Sequence, residues 1–110
     1  MRFSSYINNQ RCLEWGLNAN QGALFDYLIS IHNATKNHLL VQYGINIFSI
    51  GYQSICTQLP LYYKKPDTVY RALKSLINKG LIIHHRTDTQ NRIEIISISE
   101  KGLLWEVRSE

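Results

Sequence analysis

Between Pro66 and Gly80 the sequence PDTVYRALKSLINKG leaves room for little but an amphipathic helix. Val69, Leu73, Leu76 and Ile77 recur at i, i+4, i+7 and i+8 and form one apolar stripe. Thr68, Arg71, Lys74, Ser75 and Asn78 fall on the opposite face at steps of three or four, a row of side chains able to reach phosphates and base edges. Pro66 is accommodated only in the first turn, Asp67 suits an N-cap at the positive end of the helix dipole, and Gly80 supplies the left-handed position that stops a helix. Many surface helices show a basic outer face, so the meaning of this one depends on what comes next.

A hairpin comes next. Leu81, Ile82 and Ile83 form a short apolar run, TDTQN is rich in turn residues, and Ile93, Ile95, Ile96 and Ile98 give a second strand with near-alternation. The segment TVYRALKSLINKGLIIHHR, with ISEKGLLW after the hairpin, resembles the winged helix-turn-helix domains of MarR-type regulators and of phage- and plasmid-type replication proteins. The resemblance spans residues 17–104 and is most specific over 68–86. It implies that the helix over residues 67–79 enters the major groove of duplex DNA and that the hairpin, over 84–92, lies on the backbone or minor groove. The expected fold class is mainly α with small β (α+β), a winged helix-turn-helix. Residues 1–16 form an N-terminal arm or helix, 49–79 the helix-turn-helix, 81–99 the wing and 100–110 a C-terminal helix of a single domain.

At 110 residues the chain suffices for one core and not two, and 45% hydrophobic with 18% charged residues predicts order. The net charge of +4 says little until it is located. Residues 60–92 hold seven basic side chains against Asp67 and Asp88, a net of +5, whereas residues 1–59 carry +1 and 93–110 carry −2. Cys12 and Cys56 share no short spacing, so neither a zinc site nor a redox pair is expected, and both suit buried apolar positions. No metal or cofactor is expected. With no signal-like N-terminus and no long apolar run, a cytoplasmic protein follows.

Along the chain, Tyr6, Leu13 and Leu17 line a first helix, and Trp15 fits a core plug and an interface anchor equally. Asn18 with Gln21 reads as a capping box opening a helix over residues 19–32, with Leu24, Leu28 and Ile31 inward, flanked by Phe25 and Ile29. Asp26 and His32 are expected to be solvated or end-of-helix groups. HLLVQYG and INIFSIG read as a β-hairpin, and Ser49 as the cap of a helix running to Leu59. In the linker PLYYKKP, Lys64, Lys65 and Tyr62 offer charge and a hydroxyl to a phosphate; Tyr63 could do the same or, like Tyr62, pack on the core. Arg86 and Arg92 flank the hairpin tip across the turn, and His84 and His85, on opposite strand faces, are not a metal pair. Ser99 caps a last helix, weakened by Gly102, in which Trp105 is the candidate exposed anchor.

The expected function is that of a sequence-specific double-stranded DNA-binding protein, a transcriptional regulator; the stop at Glu110 favours a stand-alone protein. The same residues fit an initiator-type replication factor as well. A winged-helix interaction module without DNA is the other class, against which the +5 segment argues. No phosphate-binding glycine loop, paired carboxylates or nucleophile motif points to an enzyme. Apolar residues near the termini, Phe3, Trp15, Leu104, Trp105 and Val107, predict a homodimer.

Overall fold

Asn18 and Gln21 exchange hydrogen bonds, each side-chain oxygen accepting from the other's backbone N–H at 3.0 and 2.8 Å, and so close the expected capping box. In the computed structural model, which describes residues 1, 2, 4–35 and 46–106, the helix they open is Ala19–Thr35 (α2). Gly22, Ala23, Leu24, Phe25, Asp26, Leu28 and Ile29 are all buried in it, wider than a single stripe, because other elements pack around its first turns. Asp26 is therefore not solvated. It accepts from the Tyr6 N–H at 2.9 Å and pairs with Arg2 at 3.0 Å, tying the N-terminal arm down.

A short helix, Asn9–Trp15 (α1), precedes α2, with Asn8 as its cap. Its buried residue is Cys12; Leu13 is 86% and Tyr6 68% exposed, so the stripe expected through them is wrong, and of the three residues expected in it only Leu17, past the left-handed Gly16, reaches the core. At the other end of the chain the expected helix is a 3-10 turn, Gly102–Glu106 (η1), whose described part is capped by the Ser99 hydroxyl. Trp105 in it is 1% exposed, not a surface anchor. Its ring meets Phe25 edge-on at 5.2 Å and Trp15 at 6.1 Å, a three-ring cluster that joins α1 and η1 to α2. Gly102 is there for space: an added Cβ would strike the Leu81 carbonyl oxygen.

The expected HLLVQYG strand lies outside the described residues, but the second run forms Phe48–Gly51 (β1). Ser49 belongs to this strand and caps nothing; the next helix is Tyr52–Gln58 (α3), with Gly51 at its N-cap. After Pro66–Asn78 (α4) come Ile82–Asp88 (β2) and Ile93–Ile98 (β3). The sheet is antiparallel in the order β1-β3-β2, with Phe48 opposite Ile96 and Ile82 opposite Ile98. A bulge between His84 and Arg86 bends β2 and places Arg86 opposite Ile95. The core lies where α2, α3 and α4 meet the inner face of this sheet, around Leu24, Leu28, Ile55, Leu76 and Ile96. The result is a mixed α+β fold. No described helix is long and apolar enough to cross a membrane.

Candidate nucleic-acid interface

α4 is mounted by its apolar side. Val69, Ala72, Leu73 and Leu76 are buried, which turns Thr68, Arg71, Lys74 and Asn78 outward, all of them exposed. Pro66, lacking an N–H and fixed in φ, takes the first helical position, so the N-cap is Lys65 and Asp67 sits inside the first turn rather than capping it. At the far end Gly80 (φ 73°) stops the helix as expected: its N–H reaches the Ile77 carbonyl at 2.9 Å and the Leu81 N–H reaches Leu76 at 3.1 Å.

Two neighbours hold this face in place. The Ser75 hydroxyl accepts from Gln21 Nε2 at 3.1 Å, which joins α2 to α4 and leaves Ser75 half-buried, less available than the four residues around it. Tyr63 is buried in the core, and its hydroxyl donates to the Asn20 carbonyl at 2.6 Å; burial raises its pKa and keeps it protonated. The linker before α4 is thus a folded turn in which the Tyr62 and Tyr63 amides both bond the Leu59 carbonyl. Tyr62 is half-buried against the core, while Lys64 and Lys65 stand exposed beside the start of α4.

One residue of this face escaped the sequence pattern. Tyr70 is 46% exposed, its ring lies under the Lys74 ammonium at 5.6 Å, and its hydroxyl accepts from Lys74 Nζ at 3.3 Å. Together they fix where that cation sits. Its signal was available, since Tyr70 lies four residues before Lys74, but an aromatic between Val69 and Arg71 reads as part of the apolar flank.

The β2–β3 hairpin rises beside α4, across a cleft of about 270 Å³ with Tyr70, Lys74 and Asn78 on one wall and His84 and Thr87 on the other. Helix face and hairpin therefore present to the same side. Arg86 and Arg92 are exposed, but they do not face each other across the turn as expected: Arg86 pairs with Ile95, and Arg92 precedes β3 in a left-handed conformation (φ 51°). Asp88 closes the tip by accepting from the Asn91 amide and side chain at 3.1 and 2.9 Å, and those bonds, the side-chain one foremost, lower its pKa.

Beneath the cleft lies a carboxylate that the sequence reading passed over. Glu94 is 7% exposed on the central strand. Burial alone would raise its pKa, but hydrogen bonds from Tyr52, Thr87 and His84 outweigh that and hold it lowered. Tyr52, for its part, is pushed up by burial and by that same carboxylate, so the proton stays on the phenol. The signal was the strand's parity, since Glu94 is in phase with the buried Ile96 and Ile98. His85 bonds Ser97 instead, so the two histidines have separate partners.

Electrostatically the cations outnumber the carboxylates on these elements. The described salt bridges are Arg2 with Asp26 and Arg11 with Glu14, and His84 contacts Glu94 at 2.6 Å. Among the described residues, then, Lys64, Lys65, Arg71, Lys74, Arg86 and Arg92 are exposed cations without a carboxylate in salt-bridge reach. Such a surface attracts a polyanion.

No protein-family model matches the chain. No curated protein matches it in sequence. In fold it is similar to a solved N-terminal domain of a DNA binding protein, with a TM-score of 0.60 at 16% identity over 88% of this chain and 84% of that one.

Proposed function

We propose that this fold is a winged helix-turn-helix that docks on double-stranded DNA, with α4 as the recognition helix and the β2–β3 hairpin as the wing. The observation that carries the reading is the set of exposed cations, outside the salt bridges among the described residues, on α4, on the turn before it and on the hairpin that shares a cleft with α4. The fold shared with an N-terminal domain of a DNA binding protein supports it.

In this mode of binding Thr68, Arg71, Lys74 and Asn78 face base edges in the major groove, with Ser75 at their margin. Lys64, Lys65, Arg86 and Arg92 hold phosphates, and Tyr62 supports the lysines from within the turn. On this reading the domain acts by docking, without chemical conversion, as part of a cytoplasmic transcriptional regulator. It acts as a homodimer on this reading, because one copy of α4 reads only a few base pairs and Leu104 is exposed beside Leu103; of the other residues expected at that interface, Trp105 is buried with Trp15 against it, and Phe3 and Val107 lie outside the described residues.

Selection of the purified protein against random duplex DNA tests the reading, with anisotropy on selected and scrambled duplexes as the quantitative arm. Enrichment of a short motif is expected, repeated if the protein binds as a dimer. Retention of no duplex at low salt refutes it and leaves the interaction module in front. Light scattering in the same buffers tests the dimer, which falls if mass stays near 13 kDa with and without DNA.

A further inference from the structure

Tyr52 joins the two surfaces that the DNA reading uses. As the first residue of α3, it has a backbone N–H that its own helix leaves unpaired, and that N–H donates to the Arg92 carbonyl at 3.2 Å. Its hydroxyl donates to Glu94 Oε1, and its ring stands edge-on to Tyr70 with centroids 6.3 Å apart. One residue thus touches the base of the hairpin turn through its backbone, and the central strand and the outer face of α4 through its side chain. Glu94 extends the joint into β2, accepting from the Thr87 hydroxyl at 2.7 Å and bonding His84 Nε2 at 2.6 Å.

The hairpin needs such a joint. Ile82, Ile96 and Ile98 are buried and anchor its near half, but from Ile83 to Thr87 every residue of β2 is exposed. Arg92 is a non-glycine residue with positive φ, a conformation that persists only where its surroundings hold it. The described bond to its carbonyl comes from Tyr52. Phosphate contacts from two elements reinforce each other only when their spacing is fixed before binding.

We infer that Tyr52, acting through Glu94 and Arg92, is a positioning residue for DNA docking, which sets the hairpin at a fixed spacing from α4 so that Arg92 meets a phosphate while Lys74 is in the groove. The inference rests on the DNA reading above. Tyr52 itself touches no DNA in this arrangement.

The test is a mutant cycle with Tyr52→Phe, which keeps the ring and the backbone N–H and removes only the hydroxyl, and Arg92→Ala. Tyr52→Phe is expected to weaken binding to a selected duplex by about three- to tenfold, the scale of one lost hydrogen bond. It should also flatten the salt slope by about one phosphate contact while leaving base preference unchanged. In the Arg92→Ala background the same change should cost nothing further, because the contact it positions is already gone. In the free protein, amide relaxation over residues 86–92 should show added motion. Glu94→Gln, which keeps the shape and gives up the charge, follows the same cycle and stands in should Tyr52→Phe not fold. Additive losses, an unchanged salt slope, or an equally ordered hairpin would overturn the inference while wild-type binding still upheld the DNA reading. A wild-type protein that binds no duplex would remove both.

Discussion

Replacing Lys64 and Lys65 together by alanine should change how binding depends on salt more than how it depends on sequence. Both side chains are exposed, and the turn that carries them is pinned by buried Tyr63 through its bond to Asn20, so alanine at these sites removes charge without loosening the mount. Four cations are assigned to phosphates, and at about 0.9 ions released per contact the wild-type slope of log K against log salt is about −3.6. Between about 50 and 200 mM salt that slope corresponds to roughly a 150-fold loss of affinity. With two contacts gone the slope becomes about −1.8 and the same salt step costs only about 12-fold. Anisotropy titrations on selected and scrambled duplexes over that range measure both slopes, and circular dichroism checks that the fold persists, with stability within about 0.5 kcal/mol as for ordinary surface changes. A folded double variant with the wild-type slope would show that the turn before α4 does not touch the phosphate chain.

Arg71→Ala should cost about 1–3 kcal/mol on the selected duplex and relax preference at one position, as loss of a guanine contact would; equal losses on scrambled DNA would reassign Arg71 to a phosphate. Leu76→Ala, at a fully buried position, should lower unfolding free energy by about 2–5 kcal/mol in urea titrations, and a change below about 1 kcal/mol would contradict its place in the core. Gly102→Ala should destabilise by about 1–3 kcal/mol, because the new Cβ meets the Leu81 carbonyl and the Phe25 ring; an unchanged melting temperature would refute that close approach. Because Glu94 has a lowered pKa when folded, it binds fewer protons in the folded state and stabilises the fold above the ordinary carboxylate range. That contribution is lost as pH falls from the ordinary value through the depressed one. Urea midpoints across acid pH should therefore fall less steeply for Glu94→Gln than for the wild type, and parallel profiles would refute the assignment.

What the sequence disclosed was local. α4 announced itself because its stop signal, its stripe and its outward row all lie within one short segment, and the capping box at Asn18 is complete within four residues. The errors came where distant partners decide. Ser49 precedes residues of helical spacing and looks like a cap, yet pairing with Ile95 draws it into a strand. Trp105 looks like an anchor on a weak terminal helix until Phe25, far back in the chain, is placed against it. Asp67 had the right chemistry for a cap and lost the position to Lys65 because Pro66 fixes where the helix begins. Tyr52 and Glu94 belong to no motif; their meaning arises only when α3, the hairpin and α4 are brought together.

The bend in β2 has a consequence for behaviour at high concentration. In the order β1-β3-β2, β2 has one strand neighbour among the described residues, and a strand edge left unpaired is a template on which other chains can stack. Here that edge carries His84, His85 and Arg86 and is kinked by the bulge between His84 and Arg86, so a second copy meets neither a flat ribbon nor an apolar one. The kink and the charge make this edge a poor template for strand pairing with a second copy.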